Sequence, residues 1–516
     1  MTRSAGILMP VSCLPGPYGI GSFGKEAYDF VDFLEKSGQT YWQIIPLNPP
    51  NHDKSFDTPY QSFSAFAGNP YFISLDALIE EGVLTREECD AVDFGNDPVR
   101  VDYEKMYTKR LPLLRKAYER SRIAENPEYQ RFIQDNAWWL NDYALFMALK
   151  AFFGGREWVD WPEDISRRWG FAVDYYNRTL YFDVEFHKYT QFKFFQQWNA
   201  LKQYANEKQI RIIGDIPIYV SFDSTDVWVH PELFQLDENN RQITMAGCPP
   251  DAFSADGQIW GTPLYRWEKH RETGYGWWMA RLWMNFQQSD LLRIDHFRGL
   301  DEYFSIPAGS KTAKDGHWEP GPGMELFRKM WENMGYKPVI VEDLGFMTES
   351  VRAMVRDTGF PNMKVLQFGF EKGDFGASNS YLPHNIPEHC VVYPGTHDND
   401  TIDGWFAGLD AEDQAMIRRY FGCEELPAAR MHEVFVRAAM MVRAETCVIP
   451  LQDYLGLGSE ARINEPSHLE NNYHWRLKPG CLTEDLARAI FETTRRYGRL
   501  NWESDFVKLT FAERLD

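Results

Sequence analysis

The sequence predicts an α/β fold, a (β/α)8 TIM barrel with a large helical insertion after strand 2 and a loop-rich insertion after strand 3. Three observations predict it. Short β-rich apolar runs recur between helical patterns, the form that repeated βα units on a parallel sheet take. Eight such runs can be counted, the number that closes a barrel, and acidic residues sit at the ends of several, where barrel side chains project into a site. The runs are Gly6 to Leu14, Tyr41 to Leu47, Ile210 to Ile216, Leu291 to Asp295, Val339 to Glu342, Val365 to Phe370, Val391 to Tyr393 and Cys447 to Leu451.

Between the first two runs, Ala27, Phe30, Val31 and Leu34 fall at helical spacing, and Gly38 stands where a C-terminal cap belongs. Ile210 lies 163 positions after Leu47, against about 31 residues per unit in a simple barrel. An inserted, mostly helical subdomain over 57–200 is therefore expected. Its best helix spans about Arg131 to Phe153 and stops at Gly154-Gly155. A second insertion, over 221–290, contains Gly247 to Gly261, rich in turn formers and expected to make no regular element. After the eighth run, Leu486, Ile490, Thr493 and Tyr497 mark a helix with Glu484-Asp485 early and Arg495-Arg496 late. The chain reads as a single catalytic barrel over 1–516, without repeats, linkers or a C-terminal β-sandwich.

Composition narrows the function. Of 516 residues, 44% are apolar and 25% charged, which excludes wholesale disorder. Lys and Arg number 54 against 75 Asp and Glu, a net charge of −21, so nucleic acid and anionic membrane surfaces are poor partners. The seven cysteines are scattered without a C-x-x-C pair, and the apolar N-terminal stretch is too short for a signal sequence or a span. A reducing, cytoplasmic location is expected. Aromatic residues reach 16%, consistent with flat surfaces on which a sugar ring stacks.

Gly19-Ile20-Gly21-Ser22-Phe23-Gly24 satisfies the dinucleotide pattern G-x-G-x-x-G, but Tyr41 to Leu47 ends without the acidic residue that would hold a ribose. A loop packed close to backbone is the expected reading. Asp398 to Gly404 imitates a calcium loop yet has Ile402 at a ligand position, and no H-E-x-x-H occurs, so neither a metal nor a cofactor is expected.

The stronger signal is the set of strand-end acids: Asp215, Asp295, Glu342, and Asp398 beside His397. A carboxylate there costs stability unless paired or used. Any one alone reads as a cap or an ion pair; several in barrel register argue for chemistry. Arg293 and Asp295, two apart on one strand, point to one face, where the guanidinium would keep Asp295 ionised as a nucleophile. Glu342 follows three β-branched apolar residues, whose burial would raise its pKa and make it an acid. Together they form the pair that retaining glycoside chemistry requires.

Arg293 to Gly299, Val341 to Gly345 and Thr396-His397-Asp398 resemble the motifs of amylomaltases, the 4-α-glucanotransferases or disproportionating enzymes of the α-amylase superfamily. The resemblance extends to Pro17 to Gly21, Pro59 to Pro70, Gly214 to Val220 and the Pro249-Pro250-Asp251 loop, and covers essentially the whole chain. It implies Asp295 as nucleophile, Glu342 as acid and base, and Asp398 holding ring hydroxyls of the distorted sugar. It further implies Asp215, Arg293, His296 and His397 at the donor subsite, Tyr60, Phe253, Gln258 and Trp260 on loops lining the groove, and Asn464 nearby. The implied partners are an α-1,4-glucan donor and a glucose or maltooligosaccharide acceptor. Two departures stand out: the third strand lacks the Asn-His ending of true α-amylases, and Cys248 replaces an expected aliphatic residue. An α-glucan hydrolase with the same acids, or a non-catalytic glucan-binding barrel, is the alternative.

Overall fold

A computed structural model describes residues 3–51, 57–250, 256–345, 347–370, 378–466, 468 and 470–512. The strands among them are β1 (Ser4–Leu8), β2 (Tyr41–Gln43), β3 (Arg211–Ile216), β4 (Thr244–Cys248), β5 (Gln258–Pro263), β6 (Leu291–Ile294), β7 (Glu302–Pro307), β8 (His317–Pro320), β9 (Val339–Val341), β10 (Asn362–Val365), β11 (Cys390–Tyr393) and β12 (Thr446–Pro450). Eight of these close a barrel in the order β1-β12-β11-β10-β9-β6-β3-β2, and every neighbouring pair is parallel. All eight expected runs contribute a strand. The sixth is displaced: β10 ends at Val365, and Leu366–Phe370 coils into a 3-10 turn whose apolar side chains reach the core without a ladder.

The helix Lys25–Lys36 buries Phe30, Val31 and Leu34 against the sheet and stops at Gly38, whose φ is +70°. Only glycine adopts that conformation cheaply, and a Cβ there would lie 2.4 Å from Leu500 Cδ2. The G-x-G-x-x-G segment is a tightly packed loop, since a Cβ on Gly21 would meet the Val11 carbonyl at 1.9 Å.

Between β2 and β3 the chain is helical, and its last helix, Tyr181–Glu207, runs 27 residues or about 40 Å. Gln191 on this helix accepts from Gly68 N–H (2.7 Å) and donates to the Gly68 carbonyl (2.8 Å). Gln197 accepts from Ser74 N–H (2.7 Å). The segment after Tyr60 is thereby stitched to the insertion. The helix expected over 131–153 is two helices, Pro127–Asp135 and Ala137–Phe152. Asn136 separates them, donating to the Phe132 carbonyl (2.8 Å) and accepting from Trp139 Nε1 (3.0 Å), a competition with helical bonding that favours a break.

The Gly247 to Gly261 stretch corrects the expectation of no regular element. β4 and β5 pair antiparallel and join β7 and β8 in a four-stranded sheet of order β5-β4-β7-β8. Gly247 makes the pairing possible, because a Cβ there would lie 2.1 Å from the Gln258 carbonyl oxygen. Among the described residues no helix is long and apolar enough to cross a membrane.

Candidate active site

The barrel register sets Asp215 of β3 beside Arg293 of β6. Arg293 Nη1 donates to both Asp215 oxygens at 2.7 Å, and Nη2 donates to Asp295 Oδ1 at 3.0 Å. The Arg293 side chain is 2% exposed and that of Asp215 1%, whereas Asp295 keeps 25% open to the barrel mouth. The guanidinium is therefore fixed from below and presents its outer edge to Asp295. Tyr60 Oη donates to Asp215 Oδ2 (2.6 Å). Its contact with His397 Nε2 (2.7 Å) must then be one it accepts, since a phenol carries one proton. The two rings lie parallel, 7° apart with centroids at 5.5 Å. Burial lowers the His397 pKa, which leaves the ring neutral with Nε2 protonated.

Asp295 and Glu342 follow the adjacent strands β6 and β9. The loops interlock: Glu342 N–H donates to Ile294 O (3.1 Å) and Phe297 N–H donates to Glu342 O (3.1 Å). His296, with φ +47°, turns its N–H onto Glu342 Oε2 (2.6 Å), while Leu344 N–H donates to Oε1 (3.0 Å). Each carboxyl oxygen keeps a second lone pair for a proton. Burial pushes Glu342 up to about 7, against the opposing pull of Arg293 and the two N–H groups. Asp295 is also pushed up, by burial first, with Asp215 and Glu342 adding and Arg293 opposing. Arg293 thus lowers Asp295 as the sequence suggested, but burial, with the neighbouring carboxylates adding to it, outweighs that pull.

Asp398, in the loop after β11, has Oδ1 held by Asn464 Nδ2 (2.7 Å) and Oδ2 3.4 Å from His397 Nε2. Asn464 N–H in turn donates to the His397 carbonyl (3.1 Å). On the other side, Gln258 accepts from Trp260 Nε1 (3.1 Å), and the Trp260 ring meets His296 edge to face at 4.9 Å. Burial drops the His296 pKa to about 4, and its Nε2 is buried without a hydrogen-bond partner among the described residues. Gln61 Nε2 donates to the Trp260 carbonyl (2.9 Å), joining the Tyr60 loop to β5. Phe253 lies outside the described residues; the other eleven candidates fall into this connected set.

The profile of the 4-alpha-glucanotransferase family matches residues 9–483. The chain belongs to that family. A 4-alpha-glucanotransferase of Clostridium butyricum is 45% identical over 95% of this chain and 100% of its own length. One of Thermus thermophilus is 45% identical over 96% of this chain and 99% of its own. The structure of an amylomaltase from Streptococcus agalactiae in complex with acarbose superposes with a TM-score of 0.92, at 41% identity, covering 97% of this chain and 100% of that one. As a member of the 4-alpha-glucanotransferase family, the chain is a glycosyl-transferring enzyme on a (β/α)8 barrel.

Sequence reasoning missed Tyr473, whose ring centroid lies 6.2 Å from that of Tyr60. Its backbone φ of +62° and its N–H bond to the Ile463 carbonyl (2.6 Å) turn it toward the site. No motif marks it; only the Asn471-Asn472 pair before it signals a turn. Asp343 was also passed over. It accepts from Asn362 Nδ2 (2.6 Å) and Met363 N–H (3.2 Å), fixing β10 against the Glu342 loop.

Proposed function

We propose that the chain moves a segment of an α-1,4-glucan onto the 4-hydroxyl of a glucose or maltooligosaccharide acceptor by retaining double displacement. Asp295 attacks the anomeric carbon through Oδ2, since Oδ1 is held by Arg293. The C–O bond to the leaving sugar breaks as Glu342 passes its proton to that oxygen. A β-glucosyl ester on Asp295 results. The acceptor 4-hydroxyl then attacks, Glu342 takes its proton, and Arg293 steadies the departing carboxylate. Asp398, held by Asn464, bonds hydroxyls of the distorted ring. Asp215 acts from beneath through Arg293 and Tyr60, while His296, His397, Tyr60, Gln258 and Trp260 border the sugar.

The observation that carries the reading is the pairing of Asp295 on a fixed guanidinium with a Glu342 whose pKa burial sets at about 7. Hydrolysis would use the same first step, but relatives matched over their full length are 4-alpha-glucanotransferases. Selection of sugar over water requires that the ester be shielded. The Tyr60 loop bonded to β5 through Gln61 and Trp260 forms one wall for that purpose. A cytoplasmic location suits seven cysteines, none of which forms a disulfide.

Incubation with maltotriose tests the proposal. Glucose together with oligosaccharides longer than maltotriose, at constant total reducing ends, is the expected result. Shorter sugars alone with rising reducing ends would refute it.

A further inference from the structure

The helix Gly170–Thr179 lies on the helical insertion, and its outward side differs from an ordinary solvated face. Phe171, Asp174, Tyr175 and Arg178 fall at i, i+3, i+4 and i+7, which puts them on one side of the helix. Phe171 is 65% exposed and Tyr175 58%, and the exposed Trp169 ring adjoins Phe171 with centroids 5.8 Å apart. The opposite side is anchored: Ala172 is buried, and Tyr176 packs on Phe152 and Phe153 at 5.9 and 5.8 Å. The rings are thus held outward on a rigid support.

Two features say what covers them. Every exposed large hydrophobic side chain between residues 138 and 182 is aromatic, whereas those elsewhere include Ile243, Met441 and Leu509. A lipid surface gains from aliphatic and aromatic area alike, but the C–H face of a pyranose ring is matched by a flat aromatic face. Beside the rings stand Asp174 and Arg178, both exposed, and among the described residues the one side-chain bond of the two is from Arg178 Nε to the Asp174 carbonyl (3.2 Å). Such groups bond sugar hydroxyls while still wet, whereas a second copy of this chain would have to bury them, against a net charge of −21 on each molecule.

We infer that Trp169, Phe171 and Tyr175, flanked by Asp174 and Arg178, form a surface platform for long α-1,4-glucan chains, separate from the barrel mouth. The inference rests on the proposed glucan substrate. Its purpose is retention: a polymer docked there is presented to the site at raised local concentration, an advantage that maltotriose is too short to share.

The test compares wild type with Phe171→Ser/Tyr175→Ser and, as ring-preserving control, Phe171→Tyr/Tyr175→Phe. Mobility in native gels containing long-chain amylose and KM for amylose and for maltotriose are measured. The serine variant should lose retardation and show KM for amylose raised about tenfold, the control should resemble wild type, and maltotriose kinetics should be the same in all three. Unchanged retardation and KM in the serine variant overturn the platform. So does a wild-type dimer on gel filtration that the serine pair dissociates, which would assign the face to a second copy. Maltotriose left unconverted by wild type would instead sink the proposed function, and gel retardation would still report on the platform.

Discussion

Glu342 must give a proton in the first half of the proposed reaction and take one in the second, which is most efficient when its pKa lies near the working pH. Burial among the residues after Val339–Val341 supplies that, lifting it to about 7. The acid form is the one required by free enzyme, so kcat/KM for maltotriose should fall as pH rises through about 7. Glu342→Gln should lower kcat about 10²- to 10⁴-fold and remove that alkaline limb. Rates measured from pH 5 to 9 decide it. Asn464 acts one step away, by orienting Asp398. Asn464→Ala should lower kcat about tenfold or more with a smaller change in KM, the loss of one hydrogen bond to a charged group.

At the scale of elements, the long Tyr181–Glu207 helix controls where Tyr60 stands. Gln191 satisfies both backbone groups of Gly68, and a Cβ on Gly68 would lie 2.2 Å from the Phe194 ring, so the loop docks with little freedom. Gln191→Leu should cost about 1–3 kcal/mol of stability, because it strands the buried Gly68 N–H and C=O. It should also raise KM for maltotriose more than it lowers kcat, as the Tyr60 loop loosens. Urea titration and steady-state kinetics measure the two effects. Elements such as this helix were legible as a helical insertion, but their ends were not. Asn136 breaks a continuous apolar pattern through its own side-chain bonds, and Leu366–Phe370 satisfies burial as a 3-10 turn although its composition reads as strand.

Across the whole molecule, the barrel and its strand-end acids could be read because each strand needs only a short apolar run and each acid stands at its end. The β5-β4-β7-β8 sheet could not, since Thr244–Cys248 finds its partner in Glu302–Pro307, beyond an intervening barrel strand, and turn-forming residues mask the pairing. Tyr473 escaped for the same reason: it reaches the site through a turn far along the chain. The insertion is locked to the loop after β3 by Lys150, whose Nζ reaches Asp223 Oδ2 (2.5 Å) and the Gly155 and Arg156 carbonyls (2.8 and 2.9 Å). Lys150→Met should destabilise by about 3–5 kcal/mol, because it breaks this buried ion pair and takes a donor from the Gly155 and Arg156 carbonyls, as chemical denaturation would read.

The central claim is a covalent β-glucosyl ester on Asp295. Glu342→Gln incubated with an α-glucosyl fluoride, whose leaving group needs no acid, and without acceptor, should accumulate that ester. Proteolysis at low pH and mass spectrometry should then find one glucosyl unit on the peptide carrying Asp295, released as the α-linked glucosyl azide when azide, a nucleophile that needs no base, is added. A glucosyl unit on any other residue, or a β-linked product, would contradict the account.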